Sequence, residues 1–127
     1  HIMSPLAMID RTCQACHRES EEILRKDVYE RQNKVYAIRM RVEEELTKAH
    51  IEAKFAWDKG ATESQMKNVL KLLRQAQWRW DFAVASHGAA FHAPQEVTRI
   101  LGSGLDKSTQ ARIQIMTLAL HPPRCPC

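Results

Sequence analysis

Five consecutive residues near the start of the chain, Cys13-Gln14-Ala15-Cys16-His17, have the types and the spacing that covalent haem attachment requires. In a C-x-x-C-H pattern, each thiol can add across one vinyl group of the porphyrin and form a thioether bond. The two intervening residues let both sulfurs reach the vinyl positions, and the imidazole that follows becomes an axial ligand of the iron. The pattern therefore predicts haem c on Cys13 and Cys16, with His17 bound to the metal.

Two other interpretations of the cysteine pair remain open. A C-x-x-C pair can serve as a redox dithiol, although the strand–helix–strand context typical of such motifs is not visible in this sequence. It can also form half of a zinc site. The other half would then have to come from His121, Cys125 and Cys127 at the far end of the chain, and the sequence leaves the role of these two last cysteines undetermined.

Length and composition limit the possible classes of protein. A chain of 127 residues predicts one domain, and 44% hydrophobic with 27% charged residues is typical of a soluble domain. Its formal net charge is +4, but Lys and Arg alternate with Glu along helical stretches, so we expect solvated helix faces and no nucleic-acid binding. No apolar run reaches 18 residues, which predicts no membrane span. His1-Ile2-Met3 resembles a cloning scar, and a haem motif so near the start suggests a piece of a longer protein.

Two long helices are predicted after the motif. No Pro or Gly lies between Pro5 and Gly60, and apolar residues recur every three or four positions from about 19 to 59. The expected seam consists of Leu24, Val28, Val35, Ile38, Val42, Leu46, Ala49 and Ala53. Gly60 favours a helix end, and Thr62 with Gln65 forms a capping box that begins a second helix, which runs to about Ser86. Its predicted inner face consists of Met66, Val69, Leu73, Ala76, Trp80 and Ala83. The short connection predicts an antiparallel hairpin.

The C-terminal part predicts two short helices. Pro94 suits the first turn of a third helix that ends near Leu101, before Gly102-Ser103-Gly104. Asp106 can cap a fourth helix, from Lys107 to about Leu120, and an irregular tail follows. Residues expected to face inward in this fourth helix are Ile113, Met116 and Leu120.

The predicted fold class is therefore all-α, a long antiparallel helical hairpin followed by one or two short C-terminal helices. The corresponding division of the chain is a lead segment at 1–18, the hairpin and a short helix at 19–101, and a short helix with a tail at 102–127. The aromatic residues are expected to be core or interface residues and not ligand contacts. They are Tyr29, Tyr36, Phe55, Trp57, Trp78, Trp80 and Phe82.

The first helix has an apolar seam longer than the second helix can cover. About 40 residues at a rise of about 1.5 Å give a helix of roughly 60 Å. Two or three uncovered apolar side chains would favour a partner in water, and a second copy of the same helix is the simplest one. The sequence therefore predicts a homodimer through the long helices, which a charge at Val35 or Ile38 should weaken.

Three separated segments together resemble a known family. The C-x-x-C-H motif, the segment RQAQWRWDF at 74–82 and the segment GAAFHAP at 88–94 occur in the order found in the C-terminal part of the ammonia-forming cytochrome c nitrite reductases. That family consists of periplasmic enzymes with five c-type haems, and the resemblance covers about residues 10–101. It implies a C-terminal part of such an enzyme, an oxidoreductase of electron transport that reduces nitrite to ammonium.

The resemblance also implies roles for particular residues. Cys13 and Cys16 match the thioether cysteines of the last haem, and His17 matches its proximal ligand. His92 matches a distal ligand of the preceding haem, whereas by its position in a turn alone it would be a surface or capping residue. The family further implies haem c, a homodimer through long helices, a quinol-linked electron donor protein and a periplasmic location.

No catalytic residue is predicted in this chain. The motif for a lysine-ligated haem, the calcium site and the substrate-binding residues of the resembled family have no counterpart here, so the chain alone should not reduce nitrite. The alternative function is a stand-alone helical module. It would be either a small monohaem electron carrier or a coiled-coil interaction domain.

Overall fold

The computed structural model describes residues 3–86 and 88–120, which fold as four α-helices preceded by one short 3₁₀ turn at Pro5–Ala7. The helices are α1 at Glu21–Asp58, α2 at Glu63–Ala85, α3 at Ala89–His92 and α4 at Pro94–Leu120. These described ranges contain no strand. The predicted all-α class is confirmed, with one long helix, α1, and shorter helices towards the C-terminus.

Local signals set the ends of the hairpin helices, and those at Gly60 and at Thr62 with Gln65 were predicted. Ser20 caps α1 by accepting a hydrogen bond from the amide of Ile23 at 3.4 Å. Gly60, the one described residue with a positive φ, adopts φ 89° and reverses the chain after α1. Thr62 and Gln65 then form the expected capping box. The amide of Gln65 donates to the Thr62 hydroxyl at 3.3 Å, and the amide of Thr62 donates to the Gln65 side chain at 2.8 Å.

The C-terminal part forms one long helix, so the prediction of two helices separated by Gly102-Ser103-Gly104 is wrong. These residues lie inside α4, and the expected boundary between 101 and 102 falls within the same helix. Gly104 lies where α4 approaches both hairpin helices. A Cβ atom there would stand 3.4 Å from both Arg79 Cβ and Val42 Cγ1. The glycine therefore permits close helix packing and does not end the helix.

The inward face of α4 also differs from the prediction. Ile113 and Met116, which were expected to face inward, are 57% and 61% exposed, while Ile115 is 6% exposed. The side chain of Leu120 lies outside the described residues. The buried positions recur at alternating gaps of four and three residues, and they are Val97, Leu101, Gly104, Ser108, Ala111 and Ile115. Three of them, Gly104, Ser108 and Ala111, have small side chains. The apolar pattern of the sequence therefore did not reveal this buried face.

Helix α4 completes the core that the hairpin alone leaves open. The predicted α1 seam is buried, apart from Ile38, which is half-buried. Val35 and Val42 pack in one cluster with Val97 and Leu101 of α4. A second cluster joins all three long helices and consists of Leu46, Ala49, Ala53, Met66, Val69, Leu72, Leu73, Ala76, Ala111 and Ile115. The expected uncovered seam is thus buried within the chain, because α4 packs against it.

Candidate functional site

The C-x-x-C-H motif lies on a single helical turn that precedes α1. The amides of Cys16 and His17 both donate to the carbonyl of Cys13, at 3.1 and 2.9 Å. Residues separated by three and four positions on such a turn project from the same side. The motif spacing and this turn together bring both thiols and the imidazole to one surface.

The lead segment is anchored to the helical body by its own contacts. Ile9 is almost fully buried. The Thr12 hydroxyl lies 2.9 Å from the carbonyl of Pro5 and 2.7 Å from that of Met8, so it closes the turn before the motif. Arg25 of α1 donates to the carbonyl of Leu6 at 3.1 Å. The motif is therefore held in a defined position beside the first turns of α1.

A cavity of about 550 Å³ opens between the lead segment, the first part of α1 and the end of α3. All four sequence-predicted site residues line it: Cys13, Cys16, His17 and His92. The remaining lining residues are Pro5, Thr12, Glu19, Leu24, Asp27, Val28, Arg31 and Phe91. The structure thus brings the motif together with a histidine that lies 75 residues later in the chain.

The sulfur and imidazole groups of the motif are accessible. Cys13 and Cys16 are free thiols, the first half-buried and the second exposed. The Thr12 hydroxyl lies 3.6 Å from the sulfur of Cys13. The His17 side chain is 53% exposed, and its Nδ1 lies 3.8 Å from a carboxylate oxygen of Glu19. The neighbouring carboxylate therefore lies on the Nδ1 side of the ring.

His92 reaches the cavity from the short helix α3. Its amide donates to the carbonyl of Gly88 at 3.2 Å, and its ring lies 4.5 Å from the ring of Phe91, centroid to centroid. Arg31 of α1 donates to the carbonyl of Phe91 at 3.2 Å and so links α1 to α3. The family resemblance assigned His92 to a different haem from that of the motif. The structure places it in the same cavity as Cys13, Cys16 and His17.

Sequence reasoning missed several lining residues as members of the site. Arg31 was treated as part of a solvated helix face, Asp27 was not considered, and Leu24 and Val28 were treated only as seam. A signal was present, since Leu24, Asp27, Val28 and Arg31 recur at helical spacing on the side of α1 nearest the motif. That side could not be connected to Phe91 without knowing where α3 lies.

The zinc interpretation gains no support within 3–86 and 88–120. Across those ranges, no group of three or more His, Cys, Asp or Glu side chains could hold a metal ion. His121, Cys125 and Cys127, which would have to complete such a site, lie outside the described residues.

Comparison with known proteins identifies the family. The model of the family named cytochrome c552 matches residues 1–122 of the chain. The chain belongs to the cytochrome c552 family. Three curated relatives show how similar its members are. A cytochrome c-552 of Parabacteroides distasonis is 78% identical over 113 residues, or 89% of this chain and 23% of that protein. That of Bacteroides thetaiotaomicron is 72% identical over 122 residues, which are 95% of this chain and 25% of that protein. That of Porphyromonas gingivalis is 66% identical over 122 residues, which are 95% of this chain and 24% of that protein.

These findings correct the predicted function. The matched family is cytochrome c552 and the three relatives are named cytochrome c-552, so this assignment replaces that of a C-terminal part of a nitrite reductase. The predicted enzyme activity, nitrite reduction, is withdrawn on the same findings. The family supports the predictions of a c-type cytochrome, of haem and of electron transport, whereas those of an oxidoreductase and a nitrite reductase are not supported. The chain spans about a quarter of the length of the curated relatives it matches.

Family membership supports the predicted cofactor in its general form. A c-type cytochrome implies haem c, and Cys13 and Cys16 are consistent with its attachment. None of the helices in the described part of the chain is both long and apolar enough to cross a membrane.

Proposed function

We propose that this member of the cytochrome c552 family carries one haem c in the cavity beside α1 and takes part in electron transfer. The observation that carries the proposal is that one cavity is lined by both thiols of the C-x-x-C-H motif and by the imidazoles of His17 and His92. Cys13 and Cys16 would form the thioether bonds, and His17 would bind the iron.

The cavity suits a flat, largely apolar cofactor with charged edges. Its volume of about 550 Å³ falls within the range of about 300–1,000 Å³ typical of ligand sites. Leu24, Val28 and Phe91 supply apolar surface, while Glu19 and Arg31 supply charge. Both motif thiols are free to react.

The protein groups around the cavity hold and orient such a cofactor. Glu19 lies on the Nδ1 side of His17 and directs its other nitrogen to the metal, as outer carboxylates commonly do for ligating histidines. His92 is proposed as a further axial ligand because it lines the same cavity. When bound, the haem supplies a one-electron iron couple.

The experiment that tests this function is covalent haem loading. We expect the chain, exported to the periplasm of a bacterium that matures c-type cytochromes, to gain one haem that denaturation does not release. Replacing both motif cysteines, Cys13→Ser with Cys16→Ser, should abolish this attachment completely, because no thioether can form. Mass spectrometry and the absorption spectrum of the denatured protein measure the result.

The tail cysteines provide the matched control. Replacing Cys125 and Cys127 with serine removes the same number of thiols outside the motif, and attachment should stay at the wild-type level. If the wild-type chain gains no haem under these conditions, or the tail variant loses it, the proposed site is refuted.

The cellular setting follows from the same proposal. Covalent attachment of haem takes place outside the cytoplasm, so we propose a periplasmic location. The proposed partner is an electron donor protein, because a carrier of single electrons needs a source of them. That this donor is linked to quinol stays a prediction. The all-helical surface and mixed charges give no reason to propose a nucleic-acid partner.

A homodimer through the long helices also remains a proposal, but it now rests on different residues. Val35 is 6% exposed within one chain, so a charge there would disrupt the core and would not report on a dimer. Six of the seven aromatic residues named above, all but Trp80, are instead exposed. On α1, Ile51 and Phe55 stand one helical turn apart at 64% and 61% exposure, and exposed apolar groups of this kind often mark interfaces.

The dimer proposal predicts a specific loss of association. Phe55→Glu should convert a dimer to a monomer at micromolar concentration without loss of helix content, since the side chain is exposed in the single chain. Ile113→Glu, an equally exposed apolar position on α4, should leave the dimer intact. Sedimentation analysis distinguishes these outcomes, and a monomeric wild type at micromolar concentration would refute the dimer.

A further inference from the structure

Arg31 of α1 lines the cavity that we propose for the haem. It is the one Lys or Arg among the lining residues that the structure describes. Its exposed guanidinium donates from Nη1 to the carbonyl of Phe91 at 3.2 Å, and no carboxylate in residues 3–86 and 88–120 forms an ion pair with it. A guanidinium has five N–H donors, so most of its hydrogen-bonding capacity remains for a ligand.

One consequence concerns the backbone that carries His92. Helix α3 has only four residues, and its first position, after Gly88, has no side-chain cap. The carbonyl that Arg31 binds belongs to the peptide unit that directly precedes His92. The contact spans 60 residues of sequence and ties α3 to α1. Arg31 therefore restrains the peptide from which the imidazole of His92 projects.

The other consequence concerns charge. A haem carries two propionate carboxylates, whereas the cavity already contains the carboxylates of Glu19 and Asp27. The propionates would add negative charge to a site that is already acidic, so a cation that binds them would stabilise the bound haem. The planar guanidinium of an arginine matches a carboxylate in geometry. Arg31 is the group in the described lining that meets this requirement.

We infer that Arg31 is a positioning residue of the haem site, which binds a haem propionate while it holds the Phe91–His92 peptide. This inference rests on the proposed function, since it presupposes haem in the cavity. In this proposal, Arg31 orients both the propionate edge of the haem and the peptide that carries His92.

The midpoint potential of the haem-loaded chain tests the inference. Arg31→Gln removes a positive charge from the lining of the cavity that would hold the haem. The oxidised state, which carries the additional positive charge, should therefore be favoured and the potential should fall. Arg31→Lys keeps the charge and should restore most of the wild-type value. The low-spin absorption spectrum should be perturbed in Arg31→Gln, because the peptide of His92 loses its tether.

Lys34 supplies the matched control. It lies on the same helix and is exposed, but it does not line the cavity. Lys34→Gln removes the same charge and should shift the potential much less than Arg31→Gln. Equal shifts in the two variants, or an unchanged potential in Arg31→Gln, would overturn the inference while leaving covalent attachment intact. A wild-type chain that takes up no haem would instead refute the proposed function itself, and the inference with it.

Discussion

Replacing Ile115 with alanine is expected to lower the free energy of unfolding by about 2–4 kcal/mol. Ile115 is 6% exposed and belongs to the cluster that joins α1, α2 and α4. The substitution removes three carbon atoms from a packed environment and leaves a cavity that the surrounding helices can fill only in part. Chemical denaturation followed by circular dichroism measures the change.

The same substitution two residues earlier is the control. Ile113 is exposed on the opposite side of α4, so Ile113→Ala should change stability by less than about 0.5 kcal/mol. The pair tests the register of α4 directly, because the sequence pattern alone predicted that Ile113 faces inward. A larger loss at Ile113 than at Ile115 would mean that this register is wrong.

Replacing Arg112 with alanine is expected to cost about 1.5–3 kcal/mol, the range for hydrogen bonds to charged groups. Its guanidinium joins α4 to two carboxylates of α1. Nε lies 3.0 and 2.9 Å from the two oxygens of Glu52, and Nη1 lies 2.7 Å from an oxygen of Glu45. The three side chains are only about a quarter to a third exposed, so water replaces these contacts poorly. Thermal unfolding at neutral pH measures the loss.

Arg99 is the control for a change of charge without a contact between helices. It pairs with Glu96 in the same helix at 2.6 Å, and both side chains are mostly exposed. Such a pair contributes little, so Arg99→Ala should cost less than about 1 kcal/mol. An equal loss in the two variants would show that Arg112 does not hold α4 to α1.

The contribution of Arg112 should depend on pH in a defined direction. Hydrogen bonding to Arg112 holds the pKa of the Glu45 carboxyl below its ordinary value. A lowered folded-state pKa stabilises the fold above the pKa of the unfolded state, and the gain is lost as the pH falls through the folded-state value. The difference in stability between the wild type and Arg112→Ala should therefore be constant near neutrality and shrink below about pH 4.3. A difference that grows on acidification would contradict this assignment.

The candidate site was predictable only in part. The motif at Cys13, Cys16 and His17 is local, because one helical turn aligns its three groups whatever the rest of the chain does. His92 was found through a resemblance between sequences, and its assignment to the same cavity required the position of α3. For Arg31, the only local signal is its helical spacing from Leu24, Asp27 and Val28. Its importance arises from one hydrogen bond to a carbonyl 60 residues away.

Short-range chemistry determined much of this protein without reference to its tertiary structure. The Ser20 cap, the turn at Gly60 and the Thr62–Gln65 capping box involve neighbours in sequence, so the ends of α1 and α2 could be predicted from residue types. The tertiary structure decided the rest. Gly104 predicts a helix end only when α4 is considered alone, because a glycine in sequence does not show whether another helix lies against it. Close packing of three helices determines that α4 is continuous, that Ile115 and not Ile113 is buried, and that the seam of α1 is covered within a single chain.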